Sequence, residues 1–231
     1  VGPFGDKMPA PRGMRLARLT LHLLRGLLTA AAVFPFLSPA RRRAAVKRWS
    51  HALLRIVGVR LHVHGLPPRR QEPPAMLVAN HVSWLDIMVV HAVCPRARFV
   101  AKADVRHWPL LGRLVDCADT LYLERERPRD ALRVVHAIAA ALQAGDTVAV
   151  FPEGTTGDGE TLLPFHANLL QAAVATDVPV QALALRYPDA NRSYSTAATW
   201  LGDDTLAHSL WAIALLESPS TTRSSTSRSR G

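Results

Sequence analysis

Apolar positions recur along the chain at two spacings, one typical of helices and one typical of strands. In PRDALRVVHAIAAALQAG, residues 128–145, they repeat every three to four positions, which predicts a helix that ends before Gly145. The short apolar runs AMLVA and TVAVF and the alternating VRLHVHG have the length and composition of strands. Because such strands and helices follow one another, we predict an α/β fold with a mainly parallel sheet flanked by helices.

Residues 14–57 differ from this pattern because they predict two helices and no strand. The first, within residues 19–39, is apolar over nearly the length of a bilayer crossing, but it carries His22 and Arg25. The second, within residues 41–59, alternates arginines with apolar residues and a tryptophan, as helices in a membrane interface do. We therefore predict a membrane-associating segment. Its charges favour an interfacial position, although the sequence leaves a crossing open.

The composition divides the chain into four parts. Residues 1–13 are rich in proline and glycine and predict a disordered leader ahead of the helical segment at 14–57. The α/β domain is predicted to cover residues 58–216. Residues 217–231, ESPSTTRSSTSRSRG, have almost no apolar side chains to bury and predict a disordered tail.

The 231-residue chain carries a net charge of +10, which favours contact with polyanions such as nucleic acid, anionic lipid or phosphorylated substrates. Its arginine run at 41–43 borders an apolar helix, and no recognised nucleic-acid-binding motif is present. We therefore expect an anionic membrane surface as a partner and no nucleic acid. Cys94 and Cys117 are the only cysteines and suggest no disulfide framework, so we expect two free thiols.

The first candidate for catalytic chemistry is NHVSWLD, residues 80–86, directly after the strand AMLVA. Sites in α/β sheets form where strands end, and Ser83 is a candidate N-cap for the helix that follows. If His81 precedes this helix and curls back, Asp86 accepts the proton of one imidazole nitrogen and leaves the other nitrogen to act as a base. Because there is no GxSxG nucleophile motif, we expect the nucleophile to be a substrate hydroxyl and the reaction to be an acyl transfer. The alternative is a helix cap without a catalytic role.

The second candidate lies at the end of the strand TVAVF, in FPEGTTGDG, residues 151–159. It places Glu153, Gly154 and Thr155 at another strand end, where main-chain amides near the glycine are suited to bind an anion or an oxyanion. Alone, this stretch is also compatible with an ordinary turn. Together with NHVSWLD it forms a specific pair of motifs.

These motifs, with others between and after them, resemble the glycerolipid acyltransferase family typified by bacterial 1-acylglycerol-3-phosphate acyltransferase. The resemblance covers most of the predicted α/β domain and keeps the order of the family's sequence blocks. The matching residues are Asn80, His81 and Asp86 in the first block, Tyr122, Leu123 and Arg125 in the second, Phe151, Pro152, Glu153, Gly154 and Thr155 in the third, Pro179 in the fourth, and Lys102 in a loop ahead of the second.

The resemblance implies that His81 deprotonates the free hydroxyl of 1-acylglycerol-3-phosphate, with Asp86 as its orienting partner. The oxygen then attacks the thioester of acyl-CoA or acyl-carrier protein and yields phosphatidic acid, a step of phospholipid biosynthesis. Substrate-binding roles are implied for a further set, Lys102, Arg125, Glu153, Gly154 and Thr155. No metal or other cofactor is implied. The expected location is a bacterial inner membrane, with the active domain on the cytoplasmic side.

The sequence departs from the family in two places. Thr156 stands where the third block usually has arginine, which fits an acceptor head group without phosphate, and FPEGTT is similar to lyso-ornithine lipid acyltransferases. Transfer to lyso-ornithine lipid is therefore the alternative function. After residue 216 a Ser/Arg-rich tail replaces the folded sequence usual in the family, which puts the stability and activity of this chain in question. A catalytically inactive interaction protein is a third alternative, and the complete set of motif residues argues against it.

Overall fold

The computed structural model describes residues 12–65, 74–103, 105, 111–118, 120–123, 128–188 and 221–228. The helices are Arg12–Ala32 (α1), Pro39–Ile56 (α2), Leu85–Val93 (α3), Leu111–Asp116 (α4), Pro128–Gln143 (α5) and Gln171–Thr176 (α6). Short 3-10 segments lie at Phe34–Phe36 and Ala167–Leu170. The strands are Arg60–His64 (β1), Met76–Ala79 (β2), Ala97–Lys102 (β3), Leu121–Leu123 (β4), Thr147–Val150 (β5), Val180–Arg186 (β6) and Thr221–Arg228 (β7).

These strands form a seven-stranded sheet in the order β1-β7-β6-β2-β5-β3-β4. Every neighbouring pair is parallel except β6 and β7. The prediction of a mainly parallel sheet in an α/β fold is therefore confirmed. The strands β2 and β5 are central, and all of their residues are buried, as expected for strands that are covered on both faces.

Successive residues of β2 point to opposite faces of the sheet and enter two separate parts of the core. Leu77 and Ala79 belong to a cluster with residues of α2 and α3, whereas Met76 and Val78 belong to a cluster with residues of α5 and α6. The strand β5 alternates between the two clusters in the same way. Helices on both faces thus explain why these strands appear in the sequence as continuous apolar runs.

The helices α1 and α2 pack against each other, α1 also contacts α4, and α2 also contacts α3, which agrees with the two helices predicted at 14–57. Their close approach is at Gly26, where an added Cβ would lie 2.5 Å from Nε1 of Trp49. On its outer side α1 exposes Leu21, Leu24 and Leu28. Within the described part of the chain, no helix combines the length and the apolar character that a bilayer crossing requires. Membrane association of this segment stays a prediction.

The predicted disorder of residues 217–231 does not hold for Thr221–Arg228, which forms β7. This strand pairs parallel with β1 and antiparallel with β6. The reason is that the N–H and C=O groups at the edges of β1 and β6 can bind an extended segment whatever its side chains are. A count of apolar side chains does not detect such main-chain pairing. Of the predicted leader, residues 1–11 lie outside the described residues, and Arg12 and Gly13 already belong to α1.

His91 is a buried polar residue on α3. It is 1% exposed, and neither ring nitrogen has a hydrogen-bond partner among the described residues. Burial lowers the pKa of His91 from 6.5 to about 4, because the charged ring would lose its hydration. Between about pH 4 and pH 6.5 the imidazole of His91 is therefore neutral in the folded protein and protonated in the unfolded chain.

We expect this difference in protonation to make the folding stability depend on pH. Below about pH 6.5 the unfolded state binds a proton at His91 that the folded state does not bind until about pH 4, so stability falls as the pH decreases through this window. The full loss from this group is about 3 kcal/mol. The measurement is the free energy of unfolding at pH 7 and pH 4 for the wild type and for His91→Leu, in which the fall should be smaller by that amount. Equal falls in the two proteins would contradict the prediction.

Candidate active site

The two candidate motifs lie side by side at one edge of the sheet. The strands β2 and β5 are parallel neighbours with Val78 opposite Val150, so the segments that follow them leave the sheet at the same edge. His81 and Glu153, 72 positions apart in sequence, are in direct contact there. This carboxyl edge is where sites form in α/β sheets.

His81 and Asp86 form a hydrogen-bonded pair in the first of these segments. The Nδ1 atom of His81 lies 2.8 Å from Oδ2 of Asp86. His81 precedes α3 and its side chain turns back toward the first turn of that helix. Because a carboxylate can only accept, Nδ1 carries the proton and Nε2 is the basic nitrogen. No described residue hydrogen-bonds Nε2, and the side chain retains 19% of its exposure.

Asp86 is fully buried and accepts three hydrogen bonds in addition to the one from the imidazole. The Oδ2 atom accepts the N–H groups of Val82 at 2.7 Å and of Ser83 at 2.9 Å, and Oδ1 accepts the hydroxyl of Tyr187. Ser83, the predicted N-cap, accepts the N–H of Leu85 on its Oγ at 3.3 Å, whereas Trp84, which directly precedes α3, makes no side-chain cap bond. Asp86 binds the two amides ahead of this point. The four donors fix the orientation of the carboxylate and offset the cost of burying its charge.

Tyr187 is a site residue that the sequence analysis missed. It follows β6, is 2% exposed, and donates its hydroxyl to Asp86 from 101 positions away. Burial and the neighbouring Asp86 charge raise the pKa of Tyr187 well above its usual value, so the hydroxyl stays protonated and remains a donor. A polar aromatic residue directly after an alternating strand was the available signal, but only the sheet order shows that β6 lies beside β2.

Asn80 fastens the His81 segment to β6. Its side-chain amide donates to the carbonyl oxygen of Leu185 at 3.0 Å and accepts the N–H of the same residue at 2.7 Å. The amide thus continues the main-chain pairing of β2 with β6 beyond the last paired residue, Ala79. Asn80 is therefore a positioning residue for the loop that carries His81.

Glu153 holds the main chain of His81. Its Oε1 accepts the N–H of His81 at 2.7 Å, and its Oε2 accepts the N–H of Leu163 at 2.9 Å. The carbonyl oxygen of His81 in turn accepts the N–H of Gly157 at 2.8 Å. Glu153 is 5% exposed, and both of its carboxylate oxygens accept main-chain N–H groups. The role in binding the acceptor head group that the resemblance implies for Glu153 stays a prediction.

Phe151 supports the imidazole from one face. The ring centroids of His81 and Phe151 are 4.0 Å apart with an interplanar angle of 11°. Phe99 stacks against Phe151 with a centroid distance of 5.7 Å. Together with the hydrogen bond to Asp86, this stack restricts rotation of the imidazole.

Gly154 turns the second segment with a φ of +72°, in the left-handed region that favours glycine. Its N–H donates to the carbonyl oxygen of Phe151 at 3.1 Å, so this amide is engaged in the turn and not directed outward as the predicted oxyanion donor would be. The ring of His166 lies 3.0 Å from the position of an added Cβ. Thr155 follows and is exposed.

Replacement of Gly154 by alanine should lower the free energy of unfolding by about 1–2 kcal/mol for the left-handed backbone alone, with a further loss from the contact with His166. Gly145→Ala is the matched control, because Gly145 also has a positive φ, +89°, but an added Cβ there meets nothing within 4 Å. Denaturant unfolding of the two variants measures the difference. If both lose the same stability, His166 does not restrict this position.

The remaining predicted substrate-binding residues are less fully described. Lys102 ends β3, and its main chain therefore lies at the same edge of the sheet as His81. Arg125 lies outside the described residues. The substrate-binding roles of both residues, and those of Gly154 and Thr155, stay predictions.

A cleft with an empty volume of about 410 Å³ opens beside the imidazole. Its described lining is His81, Val100, Val150, Phe151, Gly154 and Leu169. The lining combines the imidazole with the apolar side chains of Val100, Val150, Phe151 and Leu169. Within the described residues no three His, Cys, Asp or Glu side chains are grouped as a metal ion would require. The chemistry that the site offers is proton abstraction by Nε2 of His81 from a ligand in this cleft.

Comparisons with known proteins agree with this geometry. The model of the Acyltransferase family matches residues 60–186. The 1-acyl-sn-glycerol-3-phosphate acyltransferase of Neisseria gonorrhoeae is 34% identical over 204 residues, which cover 88% of this chain and 78% of that protein. The lyso-ornithine lipid O-acyltransferase of Rhizobium meliloti (strain 1021) is 38% identical over 175 residues, which cover 70% of this chain and 59% of that protein.

A solved structure supports the fold. The crystal structure of the 1-acyl-sn-glycerophosphate acyltransferase from Thermotoga maritima matches with a TM-score of 0.66 at 19% identity, covering 94% of this chain and 86% of that one. The family match, over residues 60–186, spans more than half of the chain and includes both motifs of the site. The chain therefore belongs to the Acyltransferase family and is an O-acyltransferase of the type that includes 1-acylglycerol-3-phosphate and lyso-ornithine lipid acyltransferases.

Proposed function

We propose that the protein transfers a fatty acyl group from acyl-CoA or acyl-carrier protein to the free hydroxyl of 1-acylglycerol-3-phosphate. The observation that carries this proposal is His81, which lines a cleft, has Nδ1 bound by Asp86, and has Nε2 unbound by any described residue. The product of this reaction is phosphatidic acid, and its role lies in phospholipid biosynthesis.

The proposed mechanism is general base catalysis. Nε2 of His81 takes the proton of the acceptor hydroxyl while the oxygen attacks the thioester carbonyl carbon. Asp86 stabilises the imidazolium that forms and keeps its ring in place. The tetrahedral intermediate then collapses, the carbon–sulfur bond breaks, and the leaving thiolate takes the proton from Nε2. The imidazole returns to its initial state, so no further cofactor is needed.

Positive charge suits both substrates of this reaction. The acceptor phosphate, the phosphates of CoA and the acidic surface of a carrier protein are anionic, and the chain has a net charge of +10. Lys102 and Arg125 are the proposed contacts of the acceptor phosphate, and Gly154 and Thr155 are the proposed contacts from the second loop. Glu153 acts in this proposal through the main chain of His81.

A specific observation favours lyso-ornithine lipid as the second candidate acceptor. Thr156 follows Thr155 in the loop beside His81 and adds no positive charge there. An acceptor whose head group has no phosphate requires no cation at this position. The similarity to the lyso-ornithine lipid O-acyltransferase of Rhizobium meliloti supports this alternative.

The test of the proposal is an acyl-transfer assay with the full chain in detergent. Labelled acyl-CoA and labelled acyl-carrier protein are each combined with 1-acylglycerol-3-phosphate or with lyso-ornithine lipid. Formation of phosphatidic acid supports the first acceptor, and formation of ornithine lipid alone supports the second. If folded protein gives no product with any of these pairs, both functions are rejected.

Thr156→Arg is expected to favour the phosphate-bearing acceptor. The ratio of kcat/KM for 1-acylglycerol-3-phosphate to that for lyso-ornithine lipid should rise about tenfold, because one charge-assisted hydrogen bond to phosphate contributes about 1.5–3 kcal/mol. Thr155→Arg, at the adjacent exposed position, is the matched control. An equal rise in both variants would indicate a general effect of charge and no specific contact at residue 156.

The proposed location is the surface of a bacterial inner membrane, with the active domain on the cytoplasmic side. The exposed leucines of α1, Leu21, Leu24 and Leu28, support an apolar contact with lipid. The arginines of α2 support attraction to an anionic surface.

A further inference from the structure

A second pocket lies at the opposite edge of the sheet from His81. The strands β3 and β5 begin at Ala97 and Thr147 beside this pocket and run toward the catalytic edge. The pocket is formed by the first half of α2, the turn between α3 and β3, and the segment that follows α4.

Four arginines line this pocket. They are Arg42 and Arg43 on α2, Arg96 directly before β3, and Arg98 in β3. Asp146, which pairs with Arg98, is the single carboxylate among the described lining residues. Like charges at short distance repel each other, so an anion that bound between these groups would relieve that repulsion. Arginine is also the residue best shaped to bind phosphate oxygens in pairs.

The surroundings of the pocket favour a lipid phosphate over a free one. The turn that precedes α2 exposes Phe36 to 86% and Val33 to 44%. Arg42 connects this turn to the pocket, because its Nε donates to the carbonyl oxygen of Leu37 at 3.1 Å. Arginines that adjoin an exposed aromatic side chain are typical of a surface that meets both the phosphates and the hydrocarbon of a membrane. A soluble phosphate would make no use of the apolar turn.

We propose that this arginine pocket binds the phosphate of an anionic membrane lipid while Phe36 enters the lipid layer beside it. The lipid in the pocket is not the acyl acceptor, because His81 lies at the other edge of the sheet. The proposal is therefore independent of which acceptor the catalytic site uses. Its consequence is that one bound lipid holds the start of α2, and with it the sheet, in a defined orientation on the membrane.

The test compares two double variants of the full chain that each remove two positive charges from α2. Arg42→Gln with Arg43→Gln alters the pocket, whereas Arg41→Gln with Arg48→Gln alters exposed arginines of the same helix that do not line it.

Binding is measured by flotation with vesicles of phosphatidylcholine alone and of phosphatidylcholine with phosphatidylglycerol. Calorimetry with inorganic phosphate, in the absence of vesicles, measures binding of the free anion. The unfolding midpoint of each variant is measured to verify folding, and Arg43→Glu, at an exposed position, replaces the pocket pair if that pair does not fold.

The pocket pair should weaken binding to the phosphatidylglycerol vesicles about tenfold more than the control pair, which corresponds to the loss of at least one charge-assisted hydrogen bond. Phe36→Ser should also weaken vesicle binding and leave binding of inorganic phosphate unchanged. Equal weakening by the two pairs would overturn the proposal in favour of diffuse attraction. Binding of inorganic phosphate that depends on Arg42 and Arg43, with vesicle binding equal in both pairs, would overturn it in favour of a soluble ligand.

Discussion

Replacement of His81 by alanine is expected to lower kcat for acyl transfer by about 10²- to 10⁴-fold, the contribution of a positioned general base. The fold should persist, because Glu153 and Gly157 hold the main chain of His81 and not its ring. The measurement is the initial rate at saturating acyl donor for the acceptor that the wild type uses. His136→Ala, at an exposed position on α5, is the control for loss of a histidine elsewhere.

The outcome of this experiment separates two roles of the imidazole. A large fall in kcat with little change in KM would support the role of Nε2 in the transition state. A rise in KM alone would indicate that the ring only helps to bind the acceptor. A rate within a few-fold of the wild type, in folded protein, would reject His81 as the base and require another proton acceptor in the cleft.

Asp86→Asn is expected to lower kcat by about 10³- to 10⁴-fold, the size of effect seen when an orienting carboxylate becomes an amide in a catalytic triad. An asparagine side chain has one acceptor oxygen, whereas Asp86 receives four hydrogen bonds on two oxygens. At least one buried donor is therefore left without an acceptor, and the free energy of unfolding should fall by about 3 kcal/mol. Rates and denaturant unfolding are both measured.

Two comparisons make the Asp86 experiment specific. Asp177→Asn is the control, because Asp177 is exposed and its left-handed backbone suits asparagine equally well. Tyr187→Phe removes only one of the four donors to Asp86, so its loss of kcat should be smaller than that of Asp86→Asn and larger than that of Asp177→Asn. If Tyr187→Phe has the activity of the wild type, the hydroxyl has only a structural role.

The candidate site was predictable where its parts are close in the sequence. His81 and Asp86 are five positions apart, so their contact depends only on the turn that leads into α3. The strand ends that carry them were visible as short apolar runs bounded by polar residues. The spacing also predicted the cap by Ser83, whose Oγ accepts the N–H of Leu85. It did not show that Asp86 accepts the N–H groups of Val82 and Ser83 in addition to the imidazole.

The parts that the sequence analysis missed are contacts between distant segments. Tyr187 reaches Asp86 only because β6 lies beside β2. The contact between the carboxylate of Glu153 and the main chain of His81 was also missed, because it depends on the pairing of β2 with β5. The strand β7 was missed because its stabilisation comes from main-chain hydrogen bonds to β1 and β6.

Local hydrophobic spacing by itself determined the helices, most of the strands and the α/β class of this protein, because each face of a helix or strand that becomes buried must be apolar along its own length. The two motifs likewise predicted which atoms perform the chemistry. Only the tertiary structure decided which side chains hold those atoms in place, and that four arginines from separate segments share one pocket. Strand order and helix docking depend on the packing of the whole core. That packing brings together residues that are far apart in the sequence, and no local pattern of residues indicates such contacts.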